Sequence, residues 1–336
     1  MTTPTHGGTD AGPPAEFDFS TNANALGPSP VALAALRAAD PTAYPDPAYT
    51  DLRAALAAWH GRHAEEIVVG AGACELIHRA VRTAGGPVVL WEPTFGEYRY
   101  AADVAGVPVR VARDLDTWLH LLPGAALAFL CLPNSPDGSV VDPTPLSDAT
   151  ADAGCHLVID LAYHPLSQVR PDVPDNAWQL WAPNKAHGVT GVRAAYLVAD
   201  TEAAARLRRA PSWILSTHGD AFLATLPSTA AQRWVADTRA ILWQWRDELA
   251  DRLRTAGVAV TVGPANFLLA HVGDAAGTAA RLRRAGIRVR DATSFGLPDA
   301  VRLSAQPPGA QEALLAAFRA PASTPSSAQT TAEALE

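Results

Sequence analysis

Lysine is almost missing from this 336-residue chain. Of its 26 lysine and arginine residues, one (Lys185) is lysine and the other 25 are arginine. Cysteine is scarce too. Cys74, Cys131 and Cys155 lie far apart, which excludes a disulfide framework and a zinc-finger spacing and fits a reducing cytoplasm. No apolar stretch approaches the roughly 18 residues of a membrane span; the longest, 125–132, has the length of a buried strand. Positive charge is in deficit. The formal net charge of −8 argues against a nucleic-acid or anionic-membrane surface. The first ten residues carry neither a basic start nor an apolar stretch, so no secretory signal is expected and a cytoplasmic location is. HExxH, GxSxG, a complete GxGxxG and a P-loop lysine are all missing. His60 and His63 form an HxxH pair without an acidic ligand pattern beside it, so no metal site is expected.

What is present is a globular composition, 48% hydrophobic and 18% charged. The length suggests two structural units at roughly 150 residues each. In such an arginine-rich chain lysine persists where arginine cannot substitute. A guanidinium with a pKa above about 12 cannot act as a neutral amine nucleophile. Lys185 is therefore a candidate for covalent amine chemistry, against survival by chance on the surface.

Short apolar runs at 67–69, 87–91, 107–111, 125–132, 156–160 and 193–199 alternate with helical spacing at 48–60, 75–82, 94–105 and 145–153. That alternation predicts an α/β fold with a mostly parallel central sheet flanked by helices. A long helix is expected over 230–256, followed by strands at 258–262, 266–271, 287–290 and 301–304, which together read as a smaller α+β domain. The expected organisation is a flexible tail over 1–15 and an N-terminal segment over 16–40 packing with the small domain. A large domain over 41–228, a small C-terminal domain over 229–319 and a disordered tail over 320–336 follow.

Open α/β sheets bind ligands at the carboxyl ends of their strands, and four such ends here are polar or glycine-rich. Gly70-Ala71-Gly72-Ala73-Cys74-Glu75 opens a helix whose N-terminus could cradle an anion. Glu92-Pro93-Thr94-Phe95 follows a second strand, and Asn134-Ser135-Pro136-Asp137-Gly138 a third. Asp160 ends a fourth, where it could face a cationic ring nitrogen or simply cap a turn, and Tyr163 follows it. Arg193 lies eight residues after Lys185, with Gly188 and Gly191 between them. At this spacing a Schiff-base lysine and a phosphate-binding arginine converge on one cofactor.

These segments together resemble the fold-type-I pyridoxal-phosphate (PLP) enzymes, class I/II aminotransferases, in the branch of histidinol-phosphate aminotransferases and threonine-phosphate decarboxylases. The resemblance runs from Phe17 to Phe318. Ser20-Thr21-Asn22-Ala23-Asn24 is similar to the branch's entry segment, and Tyr44-Pro45-Asp46-Pro47 to its YPDP stretch. Gly70 to Ile77 resembles GNGSDELI, and Asn134 to Gly138 resembles NNPTG and its NNPDG variant, which is associated with the decarboxylases. Ala265-Asn266-Phe267-Leu268-Leu269 resembles ANFLL, and Val301-Arg302-Leu303-Ser304 resembles LRIS.

The resemblance implies a PLP-dependent transferase fold and a Lys185 Schiff base, with Lys185 also moving the Cα proton. It implies Asp160 on the pyridinium nitrogen, Tyr163 on the ring's phenolic oxygen and Phe95 against the ring face. Ala73, Cys74, Arg193 and Tyr44, the last across a homodimer interface, would bind the cofactor phosphate. Asn22 and Asn24 would line the substrate entrance, and Arg302 would clamp a carboxylate or phosphate. Departures from the pattern are Ser135 where the family has an Asn on the ring oxygen, with Asn134 as its possible substitute, and Asn184 in place of the hydroxyl residue before the lysine. The expected activity is transamination of an amino acid or amino-phosphate. L-Threonine O-3-phosphate decarboxylation in cobalamin biosynthesis, a non-catalytic PLP-fold ligand-binding module and a nicotinamide-dependent Rossmann enzyme are the alternatives. His164, His187 and Ser216 lie near the expected site, with solvated loops or a helix cap as their plainer roles.

Overall fold

The computed structural model describes residues 4–319; the segment 320–336 and its expected disorder lie outside the described residues. Thirteen strands are described: β1 (Phe17–Asp18), β2 (Ile67–Gly70), β3 (Val88–Trp91), β4 (Val109–Ala112), β5 (Leu127–Cys131), β6 (His156–Asp160), β7 (Trp178–Trp181), β8 (Ala195–Val198), β9 (Ala259–Val262), β10 (Phe267–His271), β11 (Ile287–Arg288), β12 (Arg290–Asp291) and β13 (Ala300–Ser304).

Seven of them form the central sheet, in the order β2-β8-β7-β6-β5-β3-β4. The pairs β3–β4, β3–β5, β5–β6 and β6–β7 are parallel, while β8 runs antiparallel to both β7 and β2. Helices cover both faces of a parallel sheet, so its inner strands read as continuous apolar runs rather than alternating ones. β5, Leu-Ala-Phe-Leu-Cys, is buried at every position. β7, Trp-Gln-Leu-Trp, was not expected: it is four residues long, a glutamine interrupts it, and a polar Pro-rich stretch precedes it. It nevertheless completes the sheet between β6 and β8.

A second sheet, β12-β13-β10-β9, is antiparallel throughout and packs beside the 27-residue helix Thr229–Thr255. That helix buries Val235, Thr238, Leu242, Arg246, Leu249 and Leu253, a spacing of three and four that puts one stripe inward. Ser228 caps its start, accepting from the Ala231 N–H at 3.2 Å. Arg246, only 3% exposed, donates to the carbonyls of Gly263 and Ala265 and to Gln168, so a buried guanidinium pins the loop before β10. β1 pairs in parallel with β11.

Residues 4–15 depart from the flexible tail that their Thr/Gly/Pro composition suggests. The Gly8 N–H donates to Ser20 Oγ at 2.8 Å, and Asp10 accepts from Arg283 at 3.1 Å and Arg288 at 2.9 Å. Arg290 Nη2 donates to the Thr5 carbonyl at 2.7 Å. Polar contacts hold most of this strap, several of them with arginines more than 270 positions away that nothing local in the sequence reveals. No described helix is long and apolar enough to cross a membrane.

Candidate active site

The carboxyl ends of β3, β5, β6 and β7 open into one cavity of about 1030 Å³, closed on the other side by β12, β13 and the strap. Asp160 stands at the end of β6 and is 3% exposed. Its Oδ1 accepts from the Ala162 N–H at 3.0 Å and its Oδ2 from the Tyr98 hydroxyl at 2.8 Å. Burial pushes its carboxyl above the ordinary range, against the pull of those two donors and of Lys185. Among the described residues no cation pairs directly with it. A buried carboxylate with this geometry is poised for a cationic group in the cavity.

Lys185 follows β7 and points its Nζ over the Tyr163 ring, 4.8 Å from the centroid. Its backbone carbonyl accepts from Asn24 and Gly188, which fixes the turn, while its side chain borders the cavity. Tyr163 is held edge-on against Phe267 at 5.0 Å. Phe95 borders the cavity, with Tyr98 edge-on to it at 5.6 Å and the His6 ring from the strap at 5.5 Å. His6 and His78 both reach Glu97, at 3.0 and 2.9 Å, and His6 leads the causes that hold the Glu97 carboxyl below its usual range.

The anion cradle is built at the start of the helix Ala73–Ala84. Gly72 has φ +98°, and a Cβ there would lie 2.5 Å from Arg193 Nη2. Only glycine lets that guanidinium lie against the helix N-terminus, where the backbone N–H groups of Ala73 and Cys74 point outward. Burial pushes the Cys74 thiol up to about 11, so it stays neutral. Asn184 borders the cavity with its Nδ2 3.4 Å from the Val192 carbonyl.

Asn22 is 1% exposed, yet neither its Oδ1 nor its Nδ2 has a hydrogen-bond partner, and it borders the cavity. Ser135 also faces inward and accepts from Arg302 Nη1 at 2.6 Å. Two expected site residues, Asn24 and Asn134, are not brought there. Asn24 donates to Ala186 and Thr238 and accepts from Leu26, so it ties the entry segment to the lysine turn instead of lining the entrance. Asn134 donates to Pro93 and Asp137 and accepts from Thr94, which leaves Ser135 to face the cavity. Tyr44, expected to serve the partner's cavity rather than its own, is 81% exposed, with its ring tilted at 35° to that of Trp213 and 4.8 Å from it.

Sequence reasoning missed Arg290. It is the direct cross-strand partner of Arg302 in the β12–β13 pairing. The two guanidiniums are 4% and 5% exposed as residues and lie 4.7 and 5.8 Å from the Phe295 ring. Arg290 donates to the Asp291 carbonyl and to Ser294 Oγ, and burial followed by Arg302 draws its pKa down to about 10. Opposed like charges destabilise a sheet, and buried charges are costly when unpaired. Among the described residues neither has a carboxylate partner. The pair leaves two unpaired positive charges on the cavity wall.

The other residues proposed for the site lie apart from it. His164 is half-buried, and Ser216 caps the helix Thr217–Ala224, accepting from Gly219. His187 is buried between Phe222 and Trp234, and burial pushes it down to about 4. Its folded pKa lies below the unfolded value, so the unfolded chain takes up its proton first as pH falls. Stability should drop between about pH 6.5 and pH 4, with an upper contribution from this group on the order of 3 kcal/mol. His187→Phe should flatten that decline in thermal melts at pH 7, 6 and 5; an unchanged slope would refute the assignment.

The donor set fits PLP: an amine for its aldehyde, a buried carboxylate for its ring nitrogen and a cationic helix N-terminus for its phosphate. The family model for aminotransferase class I and II matches residues 15–320. The chain is 32% identical over 329 residues to the histidinol-phosphate aminotransferase of Jannaschia sp. (strain CCS1), covering 90% of each. It is 33% identical over 312 residues to that of Halorubrum lacusprofundi, covering 85% of this chain and 83% of the relative. Its structure is similar to histidinol-phosphate aminotransferase from Sinorhizobium meliloti in complex with pyridoxal-5'-phosphate, with a TM-score of 0.80 and 25% identity over 91% and 90% of the two chains. It also shares its fold with L-threonine-O-3-phosphate decarboxylase from Porphyromonas gingivalis, with a TM-score of 0.80 and 22% identity over 89% and 97%.

Proposed function

Because the chain belongs to the class I and II aminotransferase family, and so is a PLP-dependent aminotransferase of small amino-acid substrates, we propose that its preferred substrate is an amino-phosphate. The cross-strand pair Arg290–Arg302 carries this reading. A phosphate ester carries roughly 1.5 to 2 negative charges near neutrality. It offsets both guanidiniums, where a single carboxylate offsets one. The names of the curated relatives also put a phosphate on their substrate.

Bound PLP supplies an aldehyde that condenses reversibly with primary amines and a conjugated ring that accepts the electron pair released at Cα. On this reading Lys185 holds the cofactor and then, as a free amine, takes the Cα proton and returns it. Asp160 would face the ring nitrogen, and Tyr163 and Ser135 the ring oxygen. Ala73, Cys74, Asn184 and Arg193 would hold the cofactor phosphate, and Phe95 would cover a ring face. Asn22, with its unpartnered amide, and Arg302 would receive the substrate. Tyr44 and Trp213 form an exposed aromatic pair that suits a second copy of the chain, where Tyr44 would reach the partner's phosphate cradle. Light scattering of the holoprotein at micromolar concentration tests the homodimer, and a monomeric mass would remove Tyr44 from the site.

The arginine pair also fits a substrate bearing both a carboxylate and a phosphate, for which decarboxylation is the second reading. Asp137 and Gly138 do not favour it. Asp137 accepts from Asn134 and from Ser139, so it closes its own turn. Holoprotein should therefore be given L-histidinol phosphate with 2-oxoglutarate, and separately L-threonine O-3-phosphate, with amino transfer and CO2 both measured. Arg290→Gln should raise KM for the phosphorylated substrate roughly 100-fold and leave that for its unphosphorylated counterpart nearly unchanged. Equal effects on both substrates would sink the amino-phosphate reading.

A further inference from the structure

The carboxylate at the end of β6 has a partner that no expected role accounts for. Tyr98 lies on the helix Glu97–Ala105 and is wholly buried. Its ring lies flat on Phe129 of β5, at 4.6 Å and 9° between planes, and meets Phe95 edge-on. This leaves the ring little freedom, so its hydroxyl is delivered to Asp160 Oδ2 at 2.8 Å. The Ala162 N–H holds the other oxygen. From this geometry we propose that Tyr98 is a positioning residue for the reaction. Its hydroxyl keeps Asp160 ionised and aimed, and so sets how strongly the cofactor's ring nitrogen holds its proton.

The chemistry supports one direction of donation. Burial raises the Tyr98 phenol well above its ordinary range, so it remains a donor at any working pH. A donor to a carboxylate favours the ionised form, and among the groups that oppose the burial of Asp160, Tyr98 is the strongest. The other titratable groups facing Asp160 are Cys131, Cys74 and Lys185. Both thiols are pushed up by burial and remain neutral. Lys185 is committed to the cofactor in the resting enzyme. Tyr98 is therefore the neighbour free to act on Asp160 throughout turnover.

The proposal rests on the PLP reading of the site, and the test separates the two. Tyr98→Phe keeps both ring contacts and removes only the hydroxyl. In the holoprotein this variant should shift the pH titration of the visible cofactor absorption. It should lower kcat about 10- to 100-fold, the usual span for a hydrogen bond to a charged group, and leave KM close to the parent value. In an Asp160→Asn background the same change should add little, because the charge it serves is gone. A parent protein that develops no visible absorption with PLP would defeat the reading of the site itself. A Tyr98→Phe holoprotein with the parent's absorption titration and kcat would overturn the proposal alone. If Tyr98→Phe fails to fold, the double-mutant comparison is made with Tyr98→Leu, which also lacks a donor, and judged on the absorption titration, where an unshifted curve overturns it.

Discussion

Lys185→Arg should leave a folded protein whose activity is at least ~10⁴-fold lower, beyond the range of lost acid–base catalysis alone. The reason is chemical rather than steric. Arginine is the residue this chain uses almost everywhere a cation is needed, and it stays protonated throughout the working pH range. It can neither condense with an aldehyde nor accept a proton from Cα. The fold should tolerate the change, because the backbone carbonyl of Lys185, not its amine, anchors the surrounding turn to Asn24 and Gly188. Borohydride reduction of the parent holoprotein, followed by peptide mass analysis, should place the cofactor's mass on the peptide containing Lys185. Lys185→Arg should show no such addition while melting near the parent temperature. Turnover within tenfold of the parent would end the covalent account.

Asp160→Asn should produce the second largest loss, roughly 10²- to 10³-fold in kcat, as expected when one fixed charge opposite a developing charge is removed. The amide is nearly the same shape. It can still accept at Oδ1 from Ala162, so the end of β6 should keep its conformation. What disappears is the negative charge in a water-poor pocket, where burial already strains to neutralise the acid. PLP should still bind, with its phosphate held by Arg193 and the helix start at Gly72, and its affinity should fall less than kcat. Equilibrium dialysis and steady-state rates on the same preparation check this. A kcat within a factor of three of the parent would show that the ring nitrogen needs no anionic partner here.

How much of this was legible beforehand differs by residue type. Lys185 stands out because it is the one lysine among 26 lysine and arginine residues, whereas Arg290 is one of 25 arginines. Its role emerges only from the two-residue pairing of β12 with β13. The inner strands announced themselves through apolar runs, and β6 is observed over 156–160 as expected. β7 escaped because four residues with a central glutamine carry too little periodicity to read. Asn22 and Asn24 are two positions apart in an irregular segment, and nothing local says which side chain turns inward. The choice is made by Thr238 and Ala186, far along the chain, which take up the Asn24 amide. The strap was illegible for a related reason. Its composition is that of a free end, and the arginines that hold it belong to the last quarter of the sequence.

The strap has a practical bearing on how the protein is handled. Pro4 rests beside Gly96 at the cavity rim. Three further residues reach at most about 10 Å, so any affinity handle joined ahead of Met1 would start within about that distance of the cavity rim. Kinetic constants measured on such a fusion would report the handle as much as the enzyme.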